Sequence, residues 1–160
     1  MGLWRWAVGL SLLGVVPQVS HNIIWSPGSV GQLRFLYAHM RTEFAGCLFG
    51  NKEHDTVYVA FFITSNADPR LASDSGVRQG TCPDVHTVKG NHLVGLAHSH
   101  VRVGSMCYPS DRDRATLQGW MKRGAIFGAI MCAHGDTIAV FSPDAYGLLA
   151  IPPLDSLYQP

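Results

Sequence analysis

The chain has 160 residues, a length that suits one domain with a single hydrophobic core. Hydrophobic residues make up 47% and charged residues only 14%, and the net charge of +1 argues against the basic footprint of a nucleic-acid or membrane-surface protein. The sequence contains no internal repeats, low-complexity tracts or blocks of like charge.

Residues 1–21 form an apolar N-terminal segment, which we separate from a folded domain at 22–148 and a C-terminal tail at 149–160. One basic residue, Arg5, precedes the apolar run, and this order resembles a signal peptide. The run is too short for an ordinary transmembrane helix, which needs about 20 apolar residues. Two alternatives stay open, an exported protein or a cytoplasmic one whose segment packs on the domain or a partner. Membrane contact is expected only if the segment is an anchor.

The domain begins with a predicted strand at 22–25 and a helix. Ser26 can cap the helix and Pro27 is tolerated at its first position, and the helix is predicted to end near Glu43. Apolar residues at helical spacing are expected to face the core, namely Leu33, Leu36, Tyr37 and Met40.

Two strands are predicted next, at 45–49 and 56–64, as an antiparallel pair around a turn at 50–55. A polar loop then covers residues 65–91. Loops of this length are often functional, so it is either a substrate-gripping loop or a surface insertion.

Four further elements are predicted in the second half of the domain. An apolar strand at 92–97 precedes a helix from Ser110 to Arg123, which Gly124 ends, and two strands at 125–133 and 137–141 follow around a hairpin turn. The tail is predicted to be an edge strand or a loose end. The order of elements predicts an α/β fold, a single-domain α-β-α sandwich around a mixed, largely antiparallel sheet.

The strand at 92–97 runs into His98-Ser99-His100. Since side chains alternate along a strand, His98 and His100 point to the same side. Asp113 lies four residues before Leu117, on the core-facing side of its helix, where a carboxylate needs a partner. Catalytic zinc sites use three such ligands and leave a fourth position for water. We therefore predict one Zn²⁺ per chain, held by His98, His100 and Asp113.

Each half of this pattern also has an ordinary explanation. A single His-x-His is a weak metal signal. Ser110 and Asp113 alone form a common capping arrangement, with Ser at the N-cap and an acid three residues later.

Together the motifs resemble the JAMM (MPN, JAB) zinc metalloproteases. Their signature is a Glu, then His-Ser/Thr-His, then about seven residues, Ser, two residues and Asp. The matching residues here lie within 23–148 and are Glu43, Gly46, His98, Ser99, His100, Ser110 and Asp113. Two departures concern the loop over the site: nine residues separate His100 from Ser110, and Val101 stands where the family usually has Pro.

The resemblance implies a small prokaryotic-type zinc metalloprotease that hydrolyses peptide or isopeptide bonds. Zinc would lower the pKa of its bound water toward about 7. Glu43 would be the general base, and Ser110 would donate to the tetrahedral oxyanion. From position alone, Glu43 could instead be an exposed residue at a helix end. The implied substrate is a ubiquitin-like or sulfur-carrier-type protein, and no nucleic acid is expected.

Other functions stay open on the sequence. An MPN-type scaffold would bind partners without metal, although such proteins lack one or more ligands. A RadC-like, DNA-associated member usually has His-Asn-His where this chain has His98-Ser99-His100. A Cys-His protease using Cys107 also remains open.

The four cysteines match no zinc-ribbon spacing. Cys47 and Cys132 lie in apolar strands and are predicted to be inert core residues. Cys82 and Cys107 lie in the two loops expected to flank the site. Two alternatives stay open for them, a disulfide with each other in an exported protein or free thiols in a cytoplasmic one.

Overall fold

The structure is a computed structural model and describes residues 22–65, 77, 79–83, 90–101, 107–132 and 135–150. The expectations for 1–21, for most of the loop at 65–91 and for the end of the tail lie outside the described residues. Within the described part of the chain, neither helix has the length and apolar character needed to cross a membrane.

The described residues form seven strands and two helices. In chain order they are β1 (Asn22–Trp25), α1 (Pro27–His39), β2 (Ala45–Glu53), β3 (Thr56–Thr64), β4 (His92–Ser99), α2 (Asp111–Met121), β5 (Phe127–Cys132), β6 (Thr137–Phe141) and β7 (Tyr146–Ala150).

All seven strands belong to one sheet with the order β1-β3-β2-β4-β5-β6-β7. The pairs β1–β3 and β4–β5 are parallel, and the other four pairs are antiparallel. The sheet is therefore mixed and largely antiparallel, as predicted.

The two helices cover opposite faces of this sheet. Alternate residues of β5 show this, since Phe127 and Met131 pack in the cluster that contains Leu33 of α1, whereas Ile130 packs with Leu117 of α2. The predicted α-β-α sandwich is confirmed. Leu36, Tyr37 and Met40 pack against the α1 core as expected. Met121 follows Leu117 at helical spacing, which predicts a core-facing position on α2. It is 44% exposed, so that prediction is wrong.

Helix α1 begins as its sequence predicts and ends earlier. The Ser26 hydroxyl accepts a hydrogen bond from the Ser29 N–H at 3.1 Å, and Pro27 occupies the first helical position. The helix ends at His39, and Met40 already has extended backbone angles. Glu43 thus lies in the connection to β2 and not at the helix end.

Strand β2 continues through residues predicted to form a turn. Asn51 and Glu53 pair with β3, and the turn is reduced to His54 and Asp55. These residues of β2 are exposed because β4 pairs with β2 only as far as Gly50. Their polar character, which suggested a turn, instead reflects an exposed end of a paired strand. Similarly, the edge strand β7 spans the boundary that we set at residue 148.

The cysteines pair in neither of the ways considered from the sequence. Disulfides join Cys47 to Cys82 and Cys107 to Cys132, with Cα–Cα distances of 5.7 and 5.6 Å. The two buried cysteines are therefore not inert, and Cys82 does not pair with Cys107. Each strand cysteine faces the loop cysteine nearest to it, and a distance of this size is normal for a disulfide. Since all four cysteines are paired, a nucleophilic Cys107 is excluded for the oxidised protein.

Candidate metal centre

The three predicted ligands meet where β4 ends beside the start of α2. His98 lies in β4, His100 directly follows the last residue of β4, and Asp113 lies in the first turn of α2. Their ligand atoms all lie within 4.8 Å of one another, and all three side chains are partly buried. The structure thus brings together residues that are up to 15 positions apart in the sequence, and this group could hold a metal ion.

The spacing of the ligand atoms fits a small tetrahedral ion. His98 Nε2 lies 3.2 Å from His100 Nε2 and 3.3 Å from Asp113 Oδ1. Two ligand atoms about 2.1 Å from one zinc, at the tetrahedral angle, lie about 3.4 Å apart. A hydrogen bond between the two rings would have a similar length, with roles that depend on the tautomers. The donor set of two imidazoles and one carboxylate is one that zinc accepts.

The two oxygens of Asp113 have different partners. Oδ2 accepts hydrogen bonds from the Ser110 N–H at 2.8 Å and from the Ser110 hydroxyl at 2.7 Å, while Oδ1 faces His98. The Asp113 N–H in turn donates to Ser110 Oγ at 3.2 Å, which completes a capping box at the start of α2. One oxygen of the Asp113 carboxylate therefore serves the helix cap, and the other is available to a metal ion. The two uses do not compete for the same atom.

Burial lowers the pKa of His98 to about 4, despite the nearby Asp113 carboxylate, which raises it; His100 lowers it further. At neutral pH the His98 imidazole is therefore uncharged. An uncharged imidazole has a free lone pair, which is the form that binds a metal.

The backbone around the two histidines is fixed on both sides. The His100 N–H donates to the Met131 carbonyl of β5 at 2.9 Å, and the His100 carbonyl accepts from the Tyr37 hydroxyl of α1 at 3.1 Å. Ser99 is fully buried, and its hydroxyl accepts from the Phe44 N–H at 3.0 Å. Strand alternation puts the Ser99 side chain on the face opposite that of His98 and His100, and its hydrogen bond to Phe44 agrees with this.

Glu43 is 5% exposed, so the alternative of an exposed helix-terminal residue is wrong. In the register of β2 and β4, Ala45 lies opposite His98. Continuing this register places Phe44 opposite Ser99 and Glu43 opposite His100. Opposite residues of an antiparallel pair project to the same face, so a register continued beyond the start of β2 would put Glu43 on the face that carries the candidate ligands.

Gly46, three residues after Glu43, has a steric reason to be glycine. A Cβ atom there would collide with the Ile63 carbonyl and the ring of Phe62 on β3. In the Glu-x-x-Gly part of the motif, Gly46 therefore lets β2 and β3 approach closely.

Ser110, the predicted oxyanion donor, is exposed at the N-cap of α2. Its single hydroxyl hydrogen is donated to Asp113 Oδ2. Donation to an oxyanion would require that hydrogen bond to be exchanged, because a hydroxyl has only one hydrogen to give.

Two contacts of the site were missed by sequence reasoning. Tyr37 was assigned only to core packing, and the role of Phe44 was not anticipated. The hydrogen bonds that involve them span 63 and 55 residues of sequence. Helical spacing indicated which side of α1 Tyr37 occupies, but no sequence pattern indicates which backbone carbonyl its hydroxyl reaches.

The geometry agrees with a comparison against known families. The model for prokaryotic homologs of the JAB domain matches residues 33–144, which include Glu43 and all three candidate ligands. The chain belongs to this family. The resemblance drawn from the motifs is thereby confirmed, and this JAB-domain chain shares its family with the JAMM metalloproteases.

Comparison with solved structures finds a JAB1/MPN domain protein from Archaeoglobus fulgidus. The two share 19% sequence identity over 78% of this chain and 94% of that one, with a TM-score of 0.46. No curated protein matches this chain.

Proposed function

We propose that this chain is a zinc-dependent hydrolase of peptide or isopeptide bonds. The observation that carries the proposal is the spacing of 3.2 and 3.3 Å from His98 Nε2 to His100 and Asp113, which suits one tetrahedral ion. Zinc bound there would supply an activated water molecule as the nucleophile. A metal-free scaffold is disfavoured because all three ligands are present and lie together.

The roles of the remaining residues follow from their placement. Glu43 is buried, and the continued register of β2 and β4 supports its placement near the candidate ligands. There its carboxylate would accept a proton and return it to the leaving amine. Ser110 would donate its hydroxyl to the oxyanion after releasing Asp113 Oδ2. Its backbone N–H would keep the cap on Asp113 during that exchange.

The proposed substrate is a ubiquitin-like or sulfur-carrier-type protein, cut at an isopeptide bond or within a linear tail. This part follows from the family of metalloproteases that the motifs resemble. The net charge of +1 supports a protein substrate over a nucleic acid, whose phosphates need a basic surface.

The first test is the zinc content of purified protein. Wild type should contain about one zinc per chain, and His98→Ala should lose it, because a catalytic site has only three protein ligands. Protein without zinc, even after zinc is added, would refute the metal assignment and favour the scaffold alternative.

The second part of the test is hydrolysis of a ubiquitin-like protein linked through its C terminus to a lysine side chain. Glu43→Gln should retain zinc and lose turnover. Glu53→Gln is the matched control, since the same change is made at an exposed position at the other end of β2, and it should be fully active. Turnover by Glu43→Gln would exclude Glu43 as the base.

A further inference from the structure

Ser99 makes two hydrogen bonds to a single residue of the neighbouring strand. Its N–H donates to the Phe44 carbonyl at 3.0 Å, and its hydroxyl accepts from the Phe44 N–H at 3.0 Å. In a regular antiparallel pair the backbone carbonyl of Ser99 would be that acceptor. The side chain thus takes the place of a backbone group where the β2–β4 ladder ends.

The Phe44 N–H belongs to the peptide group that begins at Glu43. That group is planar, so holding its N–H also fixes the position of the Glu43 Cα atom. On its other side, the Phe44 ring packs in the α1 core, with its centroid 5.8 Å from that of Phe62. Glu43 is therefore attached to a rigid peptide plane whose orientation depends on the Ser99 hydroxyl.

Ser99 is also fixed relative to the metal centre, because it lies between His98 and His100. The hydroxyl has no ligand role, since it faces the α1 side of the sheet with Phe44. We infer that Ser99 is a positioning residue that holds Glu43 at a set distance from the metal centre. Its consequence for catalysis rests on the proposed function, but its effect on Glu43 can be measured without turnover.

The chain contains only two glutamates, Glu43 and Glu53, so protein labelled with ¹³C at the glutamate carboxyl carbon gives two signals. Zinc added to wild type should shift the Glu43 signal and leave that of exposed Glu53 unchanged. Ser99→Ala should lose most of this shift while still binding zinc. Ser99→Thr, which keeps a hydroxyl, should restore it.

Ser29→Ala is the matched control. Ser29 is the other fully buried serine of the described residues, and its hydroxyl donates to the carbonyl of Ser26, the N-cap of α1. Loss of the Ser29 hydroxyl tests for general loosening of the fold. In Ser29→Ala the zinc-induced shift of the Glu43 signal should persist. In Ser99→Ala, kcat should fall on the order of 10- to 100-fold with KM unchanged, the size expected for a misplaced catalytic group.

The proposal is overturned if Ser99→Ala keeps the full zinc-induced shift of Glu43, or if Glu43 does not respond to zinc in wild type. Should Ser99→Ala not fold, amide exchange in wild type decides. The Phe44 N–H should then exchange as slowly as other strand amides, and fast exchange would refute the hydrogen bond. A normal Glu43 shift in wild type without any hydrolysis would refute the proposed function and leave the positioning role intact.

Discussion

Asp113→Asn separates the two uses of the Asp113 carboxylate. In wild type Oδ2 caps α2 through Ser110 and Oδ1 faces His98. Asparagine has the same shape but one oxygen and no charge, so it can cap the helix or face the metal, but not both. We expect the folded domain to survive and zinc binding to weaken strongly.

The expected magnitude follows from the number of ligands. Zinc bound by four protein ligands contributes about 10–16 kcal/mol, or roughly 3 kcal/mol for each ligand. Loss of one of the ligands should therefore weaken zinc binding on the order of 100-fold. Removing an acidic charge from the first turn of α2 should lower the stability of the metal-free protein by about 0.3–1 kcal/mol. For a chain of this size that is a fall in Tm of about 1–4 °C.

The assay is a zinc titration against a competing chelator, with thermal unfolding of the metal-free protein alongside. Asp111→Asn is the matched control, because Asp111 lies in the same first turn, is exposed and takes no part in the capping box. Both variants should lose similar stability without metal, and only Asp113→Asn should lose zinc affinity. Equal zinc affinity in Asp113→Asn and wild type would refute the assignment of Oδ1 as a ligand.

Two further predictions concern pH and the disulfides. Burial lowers the pKa of His98 from 6.5 to about 4, so at pH values between these the unfolded chain binds a proton that the folded chain does not. The free energy of unfolding of the metal-free protein should therefore fall by about 1 kcal/mol per pH unit as the pH drops through this range. His98→Gln should flatten this dependence of stability on pH. An equal slope in the variant would show that His98 is not its cause. Replacing Cys107 and Cys132 together by serine should weaken zinc binding, because this disulfide lies beside the metal centre at both of its ends. Cys107 lies three residues before Ser110. Cys132 follows Met131, whose carbonyl accepts a hydrogen bond from the His100 N–H. The paired replacement of Cys47 and Cys82 removes the disulfide between β2 and the loop that contains Cys82, and zinc affinity should be unchanged. A similar loss of zinc affinity in both double variants would exclude a specific role for the Cys107–Cys132 disulfide.

Local sequence patterns predicted most of the fold. Alternation and apolar runs indicated the strands, and Ser26 and Ser110 indicated both helix starts, because caps act through neighbours in the sequence. The errors arose where a distant strand decided the outcome. The polar residues after Gly50 are in a strand because β3 pairs with them, and the cysteine partners depend on which loop crosses which strand.

In the candidate site too, local patterns predicted some placements, and contacts between distant parts of the chain decided the others. The grouping of His98, His100 and Asp113 could be predicted, since strand alternation and helix spacing fix which side each residue takes. The burial of Glu43 could not, because it depends on where α1 ends and on how β2 pairs with β4. Nor could the contacts of Ser99 and Tyr37, which join backbone groups brought close only by the completed sheet.

The candidate site lies where ends of the neighbouring strands β2, β4 and β5 meet, and this has a consequence for the order of folding. The site needs the Phe44–Ser99 and Tyr37–His100 hydrogen bonds, which close loops of 55 and 63 residues, and such long-range contacts form slowly. In the unfolded chain a zinc ion would meet two histidines but no fixed Asp113. The ion should therefore do little to speed folding and should act mainly after the sheet is complete, by slowing its unfolding.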